Sequence, residues 1–247
     1  MNSNTPDKTQ MLAADSVENA ERFWRGLSDF YVKTTHMTDL RTRATAEKFV
    51  YEAYMSANDE VLDAGCGHLR ISMALMRLLP GVKITGVDLT QELLDEGARL
   101  LSEEHLPRME LVRGDLASLP FDDDSFDKII SARVFQYISD PVAVCRELLR
   151  VLRPGGRIIL SVPNKLNPIK QARYRGRLYS PTELGTWLTT AGYSDVTIGS
   201  ACFVPGELRR GWDSAWIAAE GLSRIPVFGL LGGNAWASGT KPFQGRD

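Results

Sequence analysis

The 247-residue chain contains few cysteines and histidines, no excess of either charge and no long apolar run. Its three cysteines lie far apart without metal-ligand spacing, so we expect neither a disulfide framework nor a metal site. The formal net charge of −2 lowers the expectation of nucleic-acid binding. No apolar run approaches the ~18 residues of a membrane helix, and the N-terminus lacks the apolar core of a signal peptide. These absences favour a cytoplasmic protein that binds neither nucleic acids nor membranes.

The composition is that of an ordinary globular protein, with 43% apolar and 24% charged residues. The chain is long enough to bury one sizeable core. Residues 1–15 are polar and are expected to be a disordered tail. Residues 16–56 carry apolar side chains at helical spacing, which predicts an N-terminal helical cap. Residues 57–247 form the predicted main domain.

From residue 60 onwards, short apolar strands alternate with amphipathic helices. Predicted strands cover residues 60–65, 83–89, 109–115, 126–133, 157–163 and 194–199, and predicted helices cover residues 70–79, 91–104, 141–152 and 182–193. Thr90, Asp140 and Ser180 stand at helix N-cap positions, and residues 153–156 are predicted to form a turn. The alternation predicts a doubly wound α/β fold, in which helices cover both faces of a parallel sheet.

Carboxylates follow three successive predicted strands, at the edge where such a sheet binds ligands. The acids are Asp63, with Gly65 and Gly67 after it, then Asp88 and Asp115. Helix or turn capping explains a single aspartate at such a position equally well. Three equivalent positions beside a glycine loop point instead to a ligand, and the spacing from Gly67 to Asp88 suits a carboxylate that binds ribose hydroxyls.

The segment VLDAGCGHLR, residues 61–70, lacks the third glycine of the dinucleotide fingerprint, because Arg70 occupies that position. Asp63 would also repel a diphosphate at short range. Acids at the first two strand ends therefore favour a ligand that carries an ammonium group and a ribose but no phosphate.

Five motifs between residue 60 and about residue 200 resemble, in order, those of the class I methyltransferases that use S-adenosyl-L-methionine. The motifs are VLDAGCG, GVDLT, GDLASLPFDDDSFDKIISARVFQYISDP, LLRVLRPGGRIILSVPN and YSPTELGTWLTTAGYSDVTI, and they are most similar to the small-molecule (methyltransferase type 11-like) branch. The resemblance implies a Rossmann-like, mostly parallel sheet of seven strands, whose antiparallel last strand lies within AWASGTKP.

The resemblance also implies cofactor-binding roles for particular residues. It assigns the methionine part of the cofactor to Asp63, Gly65 and Gly67, and the ribose to Asp88. Leu89, Asp115 and Leu116 are assigned to the adenine. The sulfonium end is expected near Arg133. The family usually has glycine at position 69. Leu69 is expected to narrow the pocket or to change how the methionine end binds.

The implied reaction is in-line transfer of a methyl group to a small-molecule acceptor, with an oxygen atom favoured. The protein mainly supplies alignment and desolvation. His36 in the cap is the candidate general base, and Tyr137 after the fourth strand is a candidate contact to the acceptor, although ordinary packing explains either residue. Two insertions, residues 164–180 and 205–233, are expected near the acceptor.

The first insertion holds five basic residues and no acid, which suits either an anionic or glycosylated acceptor or a solvated loop. The second is aromatic and is compatible with a lid, a homodimer contact or ordinary core. Two other functions stay open. One is a protein of this fold that binds the cofactor but serves as a partner subunit or catalyses another reaction. The other is an NAD-dependent oxidoreductase, against which Asp63 and Arg70 argue.

Overall fold

The computed structural model describes residues 40–174, 176–201 and 231–243, together with Glu21 and Arg25. The strands are β1 Glu60–Ala64, β2 Lys83–Asp88, β3 Met109–Arg113, β4 Phe126–Ala132, β5 Leu152–Pro163, β6 Ser194–Ala201 and β7 Asn234–Thr240. The α-helices are α1 Leu40–Glu52, α2 Arg70–Leu78, α3 Gln91–Arg99, α4 Pro141–Val151, α5 Pro168–Arg173 and α6 Pro181–Ala191. Within these ranges, no helix is both long enough and apolar enough to cross a bilayer.

All seven strands form one sheet in the order β3-β2-β1-β4-β5-β7-β6. The first five pair in parallel, whereas β7 runs antiparallel to both β5 and β6. This topology confirms the predicted doubly wound, mostly parallel, seven-stranded sheet. The strand order reverses between β1 and β4, so the carboxyl ends of these two strands flank the crevice where such sheets bind ligands.

Both faces of the sheet are buried, which explains the nearly continuous apolar character of its central strands. On β1, Leu62 packs into the apolar cluster on one face, and Val61 packs into the cluster on the other. On β5, Ile158 and Ile159 alternate in the same way.

Two boundaries differ by more than two residues from those predicted. The helix predicted over residues 91–104 ends at Arg99, because the chain tightens there and the Leu100 amide donates to the Gly97 carbonyl at 3.0 Å. Thr90 precedes this helix, but its side chain makes no capping hydrogen bond. The predicted caps at Asp140 and Ser180 are confirmed, and Ser180 forms a complete capping box.

The turn predicted for residues 153–156 lies inside β5 as an irregularity of the strand. Gly155 has a φ of 78°, in the left-handed region that favours glycine. Its amide donates to the Lys241 carbonyl at 2.8 Å, and the Lys241 amide donates to the Gly156 carbonyl at 2.9 Å. The segment therefore continues the sheet pairing beyond β7.

Leu69 precedes α2 in a left-handed conformation, with a φ of 65°. Its side chain is fully buried in the core and packs against α3, where a Cβ on Gly97 would lie 2.7 Å from Leu69 Cγ. The expectation that Leu69 narrows the pocket is therefore wrong, because the side chain fills the space between the two helices.

The contact between Leu69 and Gly97 predicts an unusual response to substitution. Gly97→Ala should lower the free energy of unfolding by roughly 1–3 kcal/mol through overpacking, although alanine normally favours a helix. Leu69→Ala should cost about 2–5 kcal/mol through lost burial. Urea denaturation of the double variant should show a smaller loss than the sum of the two, and additive losses would contradict the contact.

Candidate active site

The carboxyl ends of β1, β2 and β3 lie side by side at one edge of the sheet. Asp63 pairs in register with Gly86 of β2, and Asp88 pairs with Arg113 of β3. Neighbouring strands are about 4.8 Å apart, so acids that follow them share one rim. The Gly114 amide donates to the Asp88 carbonyl at 3.1 Å, which fixes the chain that leads to Asp115.

The glycine loop after β1 folds onto the end of β2. The amides of Gly65 and Cys66 both donate to the Val87 carbonyl, at 2.8 and 3.0 Å. A Cβ on Gly65 would overlap a Val134 methyl group, whereas a Cβ on Gly67 would meet no atom of the described residues within 4 Å. Gly67 has a φ of 54°, so it presents bare backbone to an open space that a ligand can occupy.

The Asp88 carboxylate connects this loop to the start of α3. One oxygen accepts from the Gly67 amide at 2.8 Å, and the other accepts from the Thr90 amide at 2.9 Å. Burial raises the pKa of Asp88, and these two N–H donors oppose that rise. A carboxylate offers about four lone-pair positions, so both oxygens can still accept a hydrogen bond from a ligand hydroxyl.

Asp63 lies beneath the loop and is only 1% exposed. The Ser72 hydroxyl of α2 donates to its Oδ2 at 2.5 Å. The pKa of Asp63 is raised to about 7, mainly by burial and also by the nearby charge of Asp88, while the Ser72 hydrogen bond and the charge of Arg70 act in the opposite direction. A cationic ligand group placed beside the two acids would therefore be favoured electrostatically.

The predicted adenine and ribose contacts lie on the same rim. Asp115 is partly exposed and accepts from the Ala117 amide at 3.0 Å, as in an Asx turn. Leu116 is buried in the core, and half-buried Leu89 accepts a hydrogen bond from Arg113 through its carbonyl at 3.3 Å.

Arg133 follows β4 in a left-handed conformation with a φ of 63°. Its amide donates to the Ser161 carbonyl of β5 at 2.7 Å, and the Gln136 side-chain amide donates to its carbonyl at 2.7 Å. These bonds stabilise a backbone conformation that costs about 1–3 kcal/mol and is frequent at functional sites.

Of the two candidate catalytic residues, the structure describes Tyr137 but not His36. His36 lies outside the described residues, so its role as a base stays a prediction. Tyr137 follows the turn at Arg133 and is half-buried; burial raises the pKa of its hydroxyl above the usual range. Tyr137 therefore remains a neutral phenol, which can donate a hydrogen bond but is unsuited to act as a base.

Sequence reasoning missed two hydroxyl side chains that shape the site. Ser72 supports Asp63, and buried Ser131 donates to the Ala64 carbonyl at 2.8 Å, which connects the ends of β4 and β1. The signal for Ser72 was present, because it is the only hydroxyl side chain of α2.

Comparison with known proteins places these features in context. A family model described as a methyltransferase domain matches residues 62–160. The demethylmenaquinone methyltransferase of Thermotoga maritima is 36% identical over 182 residues, which are 73% of this chain and 76% of that protein.

Two solved structures show the same fold. The cyclase SpnF superposes with a TM-score of 0.68 at 18% identity, covering 94% of this chain and 98% of its own. A chain from the complex of the Haloferax volcanii Trm112 methyltransferase activator with a methyltransferase gives a TM-score of 0.65 at 21% identity, covering 94% of this chain and 100% of its own.

The raised pKa of Asp63 predicts a pH dependence of the ligand-free protein. The Asp63 carboxyl group loses its proton near pH 3.8 in the unfolded chain and near pH 7 in the folded chain. The free energy of unfolding is therefore highest below pH 3.8, and this contribution is lost as the pH rises through 7. Between pH 3.8 and pH 7, the denaturation midpoint of the wild type should therefore fall, whereas that of Asp63→Asn should not fall in this way. Exposed Asp122→Asn is the control, and parallel curves for wild type and Asp63→Asn would contradict the burial effect.

The position of Asp88 predicts the effect of removing its carboxylate. Asp88→Ala should weaken binding of S-adenosyl-L-homocysteine by about 1–3 kcal/mol, or roughly 5- to 150-fold in dissociation constant, because a charge-assisted hydrogen bond is lost. Isothermal titration calorimetry measures this directly. An unchanged dissociation constant would refute the ribose assignment, and Asp122→Asn again provides the control.

Proposed function

The chain belongs to the class I S-adenosyl-L-methionine-dependent methyltransferases, and from this membership we propose that it methylates an oxygen atom of a small-molecule acceptor. The observation that carries the proposal is the junction of loop and acid, in which Asp88 accepts from the Gly67 amide beside open space. A ligand with ribose hydroxyls and a cationic end suits this junction, and a phosphate does not.

We assign the cofactor contacts residue by residue along this rim. The methionine part is assigned to Asp63, Gly65 and Gly67, the ribose to Asp88, the adenine to Leu89, Asp115 and Leu116, and the sulfonium end to the turn at Arg133. S-adenosyl-L-methionine, when bound, supplies a methyl group that is already activated by the positive sulfur. The remaining work of the chain is to align the acceptor and to exclude water.

We also assign residues 16–56 to a cap on the cofactor side of the sheet. Helix α1 packs against α2, directly behind the glycine loop. Within the predicted cap, Glu21 forms an ion pair with Arg113 at 2.9 Å, and Arg25 forms one with Glu92 at 2.8 Å. Both partners lie on the rim next to Leu89, so these pairs support a cap that covers the adenosine end.

Two observations support an oxygen acceptor of small size. The segment that follows β5 carries basic residues and no acid, which favours an acceptor with negative charge on oxygen. Tyr137 follows the turn after β4, and burial raises the pKa of its hydroxyl, so the neutral phenol is available as a hydrogen-bond donor to an acceptor oxygen. The name of the Thermotoga maritima relative, which says that it acts on demethylmenaquinone, bears on the size of the acceptor and does not support the oxygen atom.

The alternative of a repurposed or partner-dependent protein rests on the solved neighbours. SpnF is named as a cyclase, and the Haloferax volcanii chain comes from a complex with an activator. In either alternative role this chain would bind the cofactor without transferring a methyl group by itself, so one assay separates these roles from methyl transfer.

Incubation with S-adenosyl-L-methionine labelled in its methyl group should yield labelled products from phenols or a reduced demethylmenaquinone. We expect NMR of the product to show an O-methyl group. A C-methyl or N-methyl product would overturn the oxygen assignment alone. Absence of transfer by a protein that binds S-adenosyl-L-homocysteine normally would favour the partner or repurposed role. Asp88→Ala should lower product formation when cofactor is scarce, and Asp122→Asn should not.

A further inference from the structure

A buried arginine lies in the amino-terminal half of β5, away from the cofactor rim. Arg157 is 8% exposed and stands two residues before Ile159, on the face of the sheet where α1 packs. Its two terminal nitrogens donate to the Thr240 and Ser238 hydroxyls of β7, both at 2.8 Å. Its Nε atom is buried and forms no hydrogen bond within the part of the chain that the structure describes. The guanidinium has therefore lost its water without being fully satisfied by the fold.

The neighbours of this guanidinium do not supply a full negative charge. Arg157 forms no ion pair with any acid in the described ranges, and Glu52 of α1 pairs with Lys48 at 2.9 Å instead. The Ser238 hydroxyl donates to the Glu52 carbonyl at 3.2 Å, and the carbonyl end of a helix carries only a partial negative charge. A buried arginine without a counter-charge costs folding free energy.

A second cation stands beside Arg157. Lys128 of β4 pairs with it in register, and neighbouring strands are about 4.8 Å apart. Lys128 is half-buried and has no acidic partner among the residues that the structure describes. Arg153, by contrast, pairs with both Glu60 and Asp127 at 2.8 Å. The nearby acids therefore neutralise Arg153, whereas the repulsion between Lys128 and Arg157 favours binding of an anion.

Tyr54 covers the guanidinium from the solvent side. The Arg157 Cζ atom lies 4.9 Å from the centre of the Tyr54 ring. Tyr54 is 70% exposed, so few contacts hold its ring in place. Its φ of 51° lies in the left-handed region, which is costly for a bulky side chain and is frequent at ligand sites. An exposed ring on a strained backbone is suited to move when a ligand reaches the guanidinium.

We propose that Arg157 and Lys128 bind a phosphate group, either as the free ion or as an ester, beneath the Tyr54 ring. A phosphate monoester carries almost two negative charges at neutral pH, which matches the two cations. Arg157 Nε offers it a charged donor that the fold leaves unused. Pro163, at the carboxyl end of β5, is about 20 Å further along the strand. The site is therefore separate from the cofactor rim and does not depend on the proposed function.

The test measures binding of inorganic phosphate and of phenyl phosphate to the full chain by isothermal titration calorimetry, at constant ionic strength. The wild type should bind at least one of them, and binding of phenyl phosphate alone would identify an ester as the ligand. Lys128→Met should raise the dissociation constant about threefold or more, and Arg157→Met about tenfold or more. Tyr54→Gly should lower it about threefold, because the ring is gone and glycine tolerates the left-handed backbone.

Arg43→Met is the matched control, because it removes one positive charge from α1 where Arg43 pairs with Glu47 at 2.7 Å. Its dissociation constant should equal that of the wild type. If circular dichroism shows that Arg157→Met does not fold, Lys128→Met and Tyr54→Gly decide the outcome. Absence of binding by the wild type, or equal dissociation constants for the wild type and these two variants, overturns the proposal. Competition with S-adenosyl-L-homocysteine would place the anion at the cofactor rim and also overturns it.

Discussion

The carboxylate of Asp88 is the contact on which the position of the glycine loop depends. Its two oxygens accept hydrogen bonds from the Gly67 amide in the loop after β1 and from the Thr90 amide at the start of α3, so one side chain fixes two segments of the chain. Because Gly67 has no side chain, this connection leaves open space directly above the loop. The Asp88 carboxylate and the Gly67 backbone therefore determine both the position of the loop and the access of a ligand to it.

The acids of the site work against one another until a ligand is present. Asp63 is buried and Asp88 half-buried, and the negative charge of Asp88 makes ionisation of Asp63 harder. Ser72 and the backbone amides offset part of that cost. A ligand with a positive end offsets more, so the free protein carries a local electrostatic strain that binding relieves. The preference for a sulfonium and ammonium compound over a nucleotide diphosphate follows from this arrangement.

The alternation of strands and helices, and the acids at the strand ends, could be predicted from the sequence because both depend on local pattern. Pairing across the sheet could not. Residues 153–156 have turn composition, yet they stay in β5 because Gly155 and Gly156 pair with Lys241, which is distant in sequence. The burial of Leu69 likewise depends on Gly97 of another helix. Asp63 could be placed at the ligand edge, but the burial of its carboxylate beneath the loop required the fold.

The contacts around Gly232 have a consequence for divergence within the fold. Its amide donates to the Ser200 hydroxyl at 2.7 Å, and its carbonyl accepts from Asn164, so the chain leaves β6 and re-enters towards β7 at nearly the same point. Insertions or deletions between residues 202 and 230 can therefore accumulate without shifting the register of β7. Changes in the length of this segment therefore need not disturb the pairing of β7 with β5 and β6.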